Sequence, residues 1–284
     1  MYITGKGRCN ITNNCTTQEF FAYVARNPKF LTSALWALPP EELIEKLNGL
    51  GLATKVERGG RVFPESDKSS DVIKCLGKML QSAKVQVLLN MNVRGILKTE
   101  EGFTVRTDVR NFDAKSVVVA TGGASYSQTG STGDGYTFAK EFGHAVLGPH
   151  PALSALIEKG NICASLQGLS LKNVQFTLVQ AGRAVYSELG EMLFTHEGLS
   201  GPLVLSASSA VNYDKPLELK CSIDLKPALS TEKLDARILR DFEQNKNKQI
   251  RNVLGELLPQ RMIDSVLGFA GIDGGKPVNS ITKK

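Results

Sequence analysis

The sequence is poor in the side chains that most often do chemistry unaided. It has one tryptophan, three histidines and five cysteines in 284 residues. Cys9, Cys15, Cys75, Cys163 and Cys221 are odd in number, scattered, and form no CxxC pair, which argues against a disulfide framework and a zinc site. No metal site is expected, and a reducing compartment fits. No apolar run approaches the roughly 20 residues that span a bilayer, and the first residues lack the basic and apolar regions of a secretory leader. The expectation is a cytoplasmic protein without a membrane partner. A strand, GxGxxG turn and helix of the kind that opens dinucleotide-binding folds is also missing.

What is present is an ordinary globular composition, 42% hydrophobic and 22% charged with a net charge of +6. The length allows one or two domains with a sizeable core. From Leu225 to Lys284 there are 11 Lys or Arg against 7 Asp or Glu. That excess is compatible with a surface for RNA phosphates, although a solvated helical face is the commoner cause.

The most informative stretch is Ser116 to Tyr136, SVVVATGGASYSQTGSTGDGY. Val117, Val118 and Val119 are consecutive β-branched residues without polar alternation, the pattern of a strand buried on both faces of a parallel sheet. The run ends in Ala120, Thr121, Gly122 and Gly123, at the carboxyl edge where α/β sheets bind ligands. Gly130, Gly133 and Gly135 then surround Asp134, just before a helical pattern whose free N–H groups suit an anion. Glycine content alone is equally consistent with a plain loop. A second glycine-containing loop lies near the start, Tyr2 to Asn13, with Gly5 and Gly7 followed by Arg8, Cys9 and Asn10.

Elsewhere periodicity assigns elements. Thr16 or Thr17 caps a helix over Thr17–Val24, Pro40 opens another, and Arg58-Gly59-Gly60-Arg61 centres a hairpin. Ser69 or Ser70 caps a helix with Val72, Leu76, Met79 and Leu80 on one face. Strands are expected at Val85–Leu89, Val93–Lys98, Phe103–Thr107 and Val117–Ala120. After the boundary at Pro149 and Pro151 come a hairpin from Val174 to Ser187 and an alternating strand Leu217–Asp224. From Ser230 onward the chain reads as helical.

Between those strands lies Glu191 to Leu205, EMLFTHEGLSGPLVL. Gly198-Leu199-Ser200-Gly201-Pro202 has proline where a hydrolase nucleophile elbow needs its last glycine, so Ser200 is expected to cap a helix to about Val211 instead.

The three stretches 2–13, 116–136 and 191–205 together resemble the bacterial NAD(P)/FAD-dependent oxidoreductases known as aminoacetone-oxidase-like or HI0933-like, and the resemblance runs along essentially the whole chain. It implies an α/β plus α+β protein: an incomplete FAD-binding domain (Rossmann-like, glutathione-reductase-type) over residues 1–150 and an inserted β-plus-helical, substrate-side domain over 151–284. It implies FAD, with NADH or NADPH as electron donor, and reduction of a conjugated C=C bond in a small-molecule enone or a uracil ring. Gly5, Gly7, Arg8, Cys9, Asn10, Val93, Ala120, Thr121, Gly122, Gly123 and Asp134 are the cofactor-binding residues it implies, with backbone at Val93 meeting the adenine. No catalytic acid is assigned; His196 is a candidate only by its place in the third motif. Relative to the family pattern, the opening phosphate-binding unit and the closing flavin cover are not found, so a fragment truncated at both ends is expected. The alternative is an inactive remnant, or an RNA-binding module using the basic C-terminal helices.

Overall fold

The computed structural model describes residues 7–282, and the chain divides between Gly148 and Pro149 into two compact units. In the first unit the chain runs through β1 (Thr12–Asn13), α1 (Thr17–Ala22), α2 (Thr32–Ala37), α3 (Pro40–Gly49), β2 (Thr54–Glu57), β3 (Arg61–Pro64) and α4 (Ser69–Ser82). The β2–β3 hairpin turns at Arg58–Gly60, and β1 pairs along β3 with Thr12 opposite Val62. Thr16 starts α1 through a reciprocal cap: its hydroxyl accepts from Glu19 N at 3.2 Å while the Glu19 carboxylate accepts from Thr16 N at 2.8 Å. Leu47 and Leu52, from α3 and the chain just after it, pack with Val72 and Cys75 of α4. Neither Ser69 nor Ser70 caps α4. Lys68 is the N-cap without a side-chain bond, and Ser69 is buried inside the first turn; Ser66 braces the entry instead, donating to Asp71 Oδ2 at 2.7 Å.

A second sheet follows, the antiparallel meander β4 (Val93–Lys98), β5 (Phe103–Thr107) and β6 (Asn111–Ala114), and then α5 (Asp134–Glu141). Val85–Leu89 and Val117–Ala120 do not form the expected strands. Leu89 is 76% exposed and Val118 88% exposed, and every named strand pair among the described residues is antiparallel. A run of valines states a preference for extended, covered backbone, but a strand exists only where a neighbour accepts its hydrogen bonds. Among the described residues neither segment has a strand partner.

The second unit contains β7 (Leu156–Ile157), α6 (Ile162–Ser165), β8 (Ser170–Gln180), β9 (Arg183–Phe194), β10 (Gly198–Ser200), α7 (Pro202–Ser209) and β11 (Leu219–Asp224), followed by α8 (Thr231–Gln244), α9 (Ile250–Val253) and α10 (Ile263–Ala270). Its five strands form one antiparallel sheet in the order β11-β8-β9-β10-β7. Along β8 the side chains of Val174, Phe176, Leu178 and Gln180 are all buried at period two, and α7 covers them with Leu203, Val204 and Ala207. Gln180 is polar yet fully satisfied: its amide donates to Asn212 O at 2.7 Å and Pro216 O at 3.1 Å and accepts from Asn212 N at 2.9 Å. Ser200 is the last residue of β10, opposite Leu193, and Gly201 is the N-cap of α7, which corrects the expected serine cap. A separate small core joins Ile250, Val253, Ile263, Leu267 and Val278. No helix among the described residues is long and apolar enough to cross a membrane.

Candidate functional site

The glycine-rich loop folds back onto the first turn of α5. Gly133 caps that helix with φ 85°, without a side-chain cap, and Thr132 Oγ1 donates to Asp134 Oδ1 at 2.9 Å. A Cβ on Gly135 would stand 2.8 Å from Thr121 Oγ1 and 3.4 Å from Val119, and one on Gly123 would stand 3.4 Å from the Tyr136 hydroxyl. A side chain at Gly135 would therefore require the Thr121 side chain to turn aside. Gly122 sits beside the Ser131 hydroxyl, and Ala120 is exposed.

Next to this turn is a cleft of about 410 Å³ lined by Asn92, Val93, Arg94, Thr132, Asp134, Thr137 and Phe138. Phe138 is a buried residue of its wall, whereas Asp134, Thr132 and Thr137 supply polar groups. Asp108 steadies the side formed by β4: it accepts from Asn92 N at 3.1 Å and lies 3.7 Å from Arg94 Nη2. Val93 and Asp134, far apart in sequence, thus line one cleft. Asn92, Arg94, Thr132 and Thr137 were not singled out from sequence, although Asp134, Thr137 and Phe138 stand at helical i, i+3, i+4 spacing.

The other predicted residues lie in the β1-β3-β2 region, and Gly5 falls outside the described residues. Gly7 has φ 79° in open space. Arg8 Nη2 donates to Glu57 Oε1 at 2.5 Å and meets Asp67 Oδ1 at 2.5 Å as a charge contact without hydrogen-bond alignment. Its guanidinium lies 4.0 Å above the Phe63 ring, and its Nε is buried with no acceptor among the described residues. Lys55 completes the network by donating to Asp67 Oδ2 at 2.6 Å. That bond, and then Arg8, hold the Asp67 carboxyl below its usual range, so the network contributes above the ordinary carboxylate pKa and is lost as acid protonates Asp67. Cys9 packs beside Leu47 and Val72, and the Asn10 amide, correctly oriented, donates to Thr12 O at 3.0 Å.

Reactive side chains elsewhere are muted. Burial, and then the adjacent Glu158 carboxylate, push the Cys163 thiol up to about 12, far from a thiolate at neutral pH. His196 is exposed on the turn between β9 and β10, 3.8 Å from Glu197. No group of three potential metal ligands is found among the described residues.

Residues 1–211 match the family model described as the HI0933-like protein Rossmann domain. The chain belongs to the HI0933-like family. The HI0933-like protein barrel and H2TH domain matches residues 150–284, overlapping the first match over residues 150–211, which hold β7 to β10 and α7. This HI0933-like chain is 29% identical over 281 residues to a 3-dehydro-bile acid delta(4,6)-reductase from Clostridium scindens, covering 98% of itself and 68% of that protein. It is 30% identical over 262 residues to the ribosomal RNA dihydrouridine synthase of Escherichia coli, covering 92% of itself and 62% of the relative. The Haemophilus influenzae protein of the same name is 28% identical over 268 residues, with 63% of its length covered. The chain therefore spans somewhat under two thirds of the two synthases. Its class is α/β plus α+β, a Rossmann-type portion and a barrel/H2TH portion.

Proposed function

We propose that this chain is part of a flavin-dependent reductase that adds hydrogen across a C=C bond conjugated to a carbonyl, with FAD as cofactor and NADH or NADPH as electron donor. The supporting observation is that relatives named for unrelated substrates, a bile acid and a ribosomal RNA uridine, share one bond change. In the reaction proposed for this chain, hydride adds to the alkene carbon β to the carbonyl and a proton to the α carbon. FAD, when bound, supplies the two-electron relay from the nicotinamide.

The residues present fit such a group in part. The cleft beside α5 offers Val93 and Phe138 as apolar surface for a flat ring and Asp134 as an acceptor for sugar hydroxyls. Gly122 and Gly123 provide close backbone without side chains, and Arg8 Nε, which has no acceptor among the described residues, is a spare buried donor. Cys9 and Asn10 serve the small sheet and add shape rather than charge. In this reading the first unit holds the cofactor, and the second is a substrate-side domain inserted into the flavin-binding fold.

Asp134→Asn keeps an acceptor for Thr132 but removes the charge, so FAD affinity is expected to fall at least about 10-fold, in line with the loss of a charge-assisted hydrogen bond. Quenching of FAD fluorescence during titration measures this; unchanged affinity removes Asp134 from the site. The function itself is tested by deleting the gene in its host and following two products by mass spectrometry, dihydrouridine in ribosomal RNA and the saturated product of a supplied 3-oxo-Δ4,6 steroid. Loss of either supports the reading and names the substrate class. Retention of both overturns it.

A further inference from the structure

After α8 the chain contains Asn245 to Asn252, NKNKQIRN, with three cations and no acid. The structure stitches this stretch to residues 274–279 as a narrow antiparallel ribbon: Ile250 N donates to Lys276 O, Val278 N to Lys248 O and Asn279 N to Lys246 O, each at 3.0 Å, and Gln249 bridges Pro277. Ile250 and Val278 turn inward and are buried with Val253, Ile263 and Leu267. The ribbon is thereby held rigid while its outward residues, Lys246, Asn247, Lys248, Arg251, Lys276 and Asn279, are exposed.

The neighbouring acids neutralise half of this charge. Glu243 pairs with Lys246, Asp264 Oδ1 lies 2.9 Å from Arg251 Nε, and Asp273 is turned to its own loop, accepting from Gly275 N at 3.0 Å. Lys248 and Lys276 have no ion-pair partner among the described residues. They rise from facing segments of the ribbon, with Asn247 and Asn279 amides beside them, joined to each other at 3.4 Å.

We infer that this ribbon is a contact surface for the phosphates of a single-stranded RNA. The inference rests on the reading that the conjugated alkene is a uracil ring held in RNA, and deepens it by naming the surface. Two unneutralised ammonium groups on a stiff backbone, flanked by amide donors, suit phosphate oxygens without reading sequence. An apolar steroid would gain nothing from them.

The test is fluorescence anisotropy of a labelled single-stranded RNA with the full chain across a potassium chloride series. Each phosphate contact on a single strand contributes a slope of about 0.7 to the fall of log affinity with log salt. Lys248→Gln/Lys276→Gln should therefore flatten the slope by about 1.4 and weaken binding roughly 25-fold at 0.1 M salt. Lys220→Gln, at an exposed lysine of β11 that lies 3.8 Å from Glu218, should leave both unchanged. Equal binding by the double variant and the parent, or equal weakening by Lys220→Gln, overturns the inference. Loss of dihydrouridine from ribosomal RNA when the gene is deleted in its host, measured separately by mass spectrometry, distinguishes failure of this surface from failure of the reductase reading.

Discussion

Phe176→Ala lowers the unfolding midpoint of the second unit by roughly 10–15 °C, the expected result of losing about 3–5 kcal/mol from one buried aromatic side chain. Phe176 lies mid-way along β8 with 0% exposure, opposite Glu188 on β9 and Ile223 on β11. Its core cluster includes Leu178, Met192, Leu203 and Val204, drawn from two strands and α7. Sheet pairing fixes the backbone on both sides of β8, so the neighbours cannot collapse into the space left, and the cavity cost adds to the lost transfer energy. Differential scanning calorimetry reads this directly. A shift below about 3 °C, less than one methylene group's worth of burial, would mean that the sheet and α7 do not enclose a packed core at this point.

The second large effect is Gly198→Val. An added Cβ would lie 2.0 Å from Leu156 O, 2.9 Å from Glu158 N and 3.0 Å from Ile157 Cα. All three obstructing atoms are backbone, so no rotamer change relieves them. β7 must leave β10, taking with it the 2.9 Å bond from Glu158 N to Glu197 O. Displacing Glu158 also unsettles α6, because its carboxylate accepts from Ile162 N at 3.3 Å and from Cys163 N at 2.7 Å. The expected cost is about 3 kcal/mol or more, the upper end for overpacking, since the clash is with main chain rather than with a movable side chain. Urea unfolding followed by tryptophan-independent circular dichroism measures it. Unaltered stability would show that β7 is not held against β10. The prediction also explains the motif around Ser200 without catalysis: glycine is needed there so that two short strands can meet.

Much of this architecture was readable beforehand where the signal is local. Gly59-Gly60 announced the β2–β3 turn, the Thr16-Thr17 pair the start of α1, which Thr16 caps, and the run Val174 to Ser187 the β8–β9 hairpin. The β8–β9 hairpin is longer than expected, extending to Ser170 and Phe194, because its outer residues gain β10 as a partner that no local window reveals. Of the proposed site, the sequence pointed to the Asp134 turn by its glycines. Arg94 and Thr137 escaped notice because a charged strand residue and a helix threonine look like ordinary surface until β4 and α5 border one cleft.

By itself the sequence determined the family, the helices and hairpins whose caps, turns and periodicity lie within a few residues of one another, and the absence of any CxxC or long apolar run. Tertiary structure alone decided what depends on distant partners. It made Ser200 a strand residue by setting it opposite Leu193, committed Arg8 to Glu57 and Asp67, and left Val117–Ala120 without a strand partner among the described residues despite its valines. The physical reason is the same in each case: a cap or turn is satisfied by its own neighbours, whereas a strand or an ion pair is satisfied only by groups that the rest of the fold brings to it.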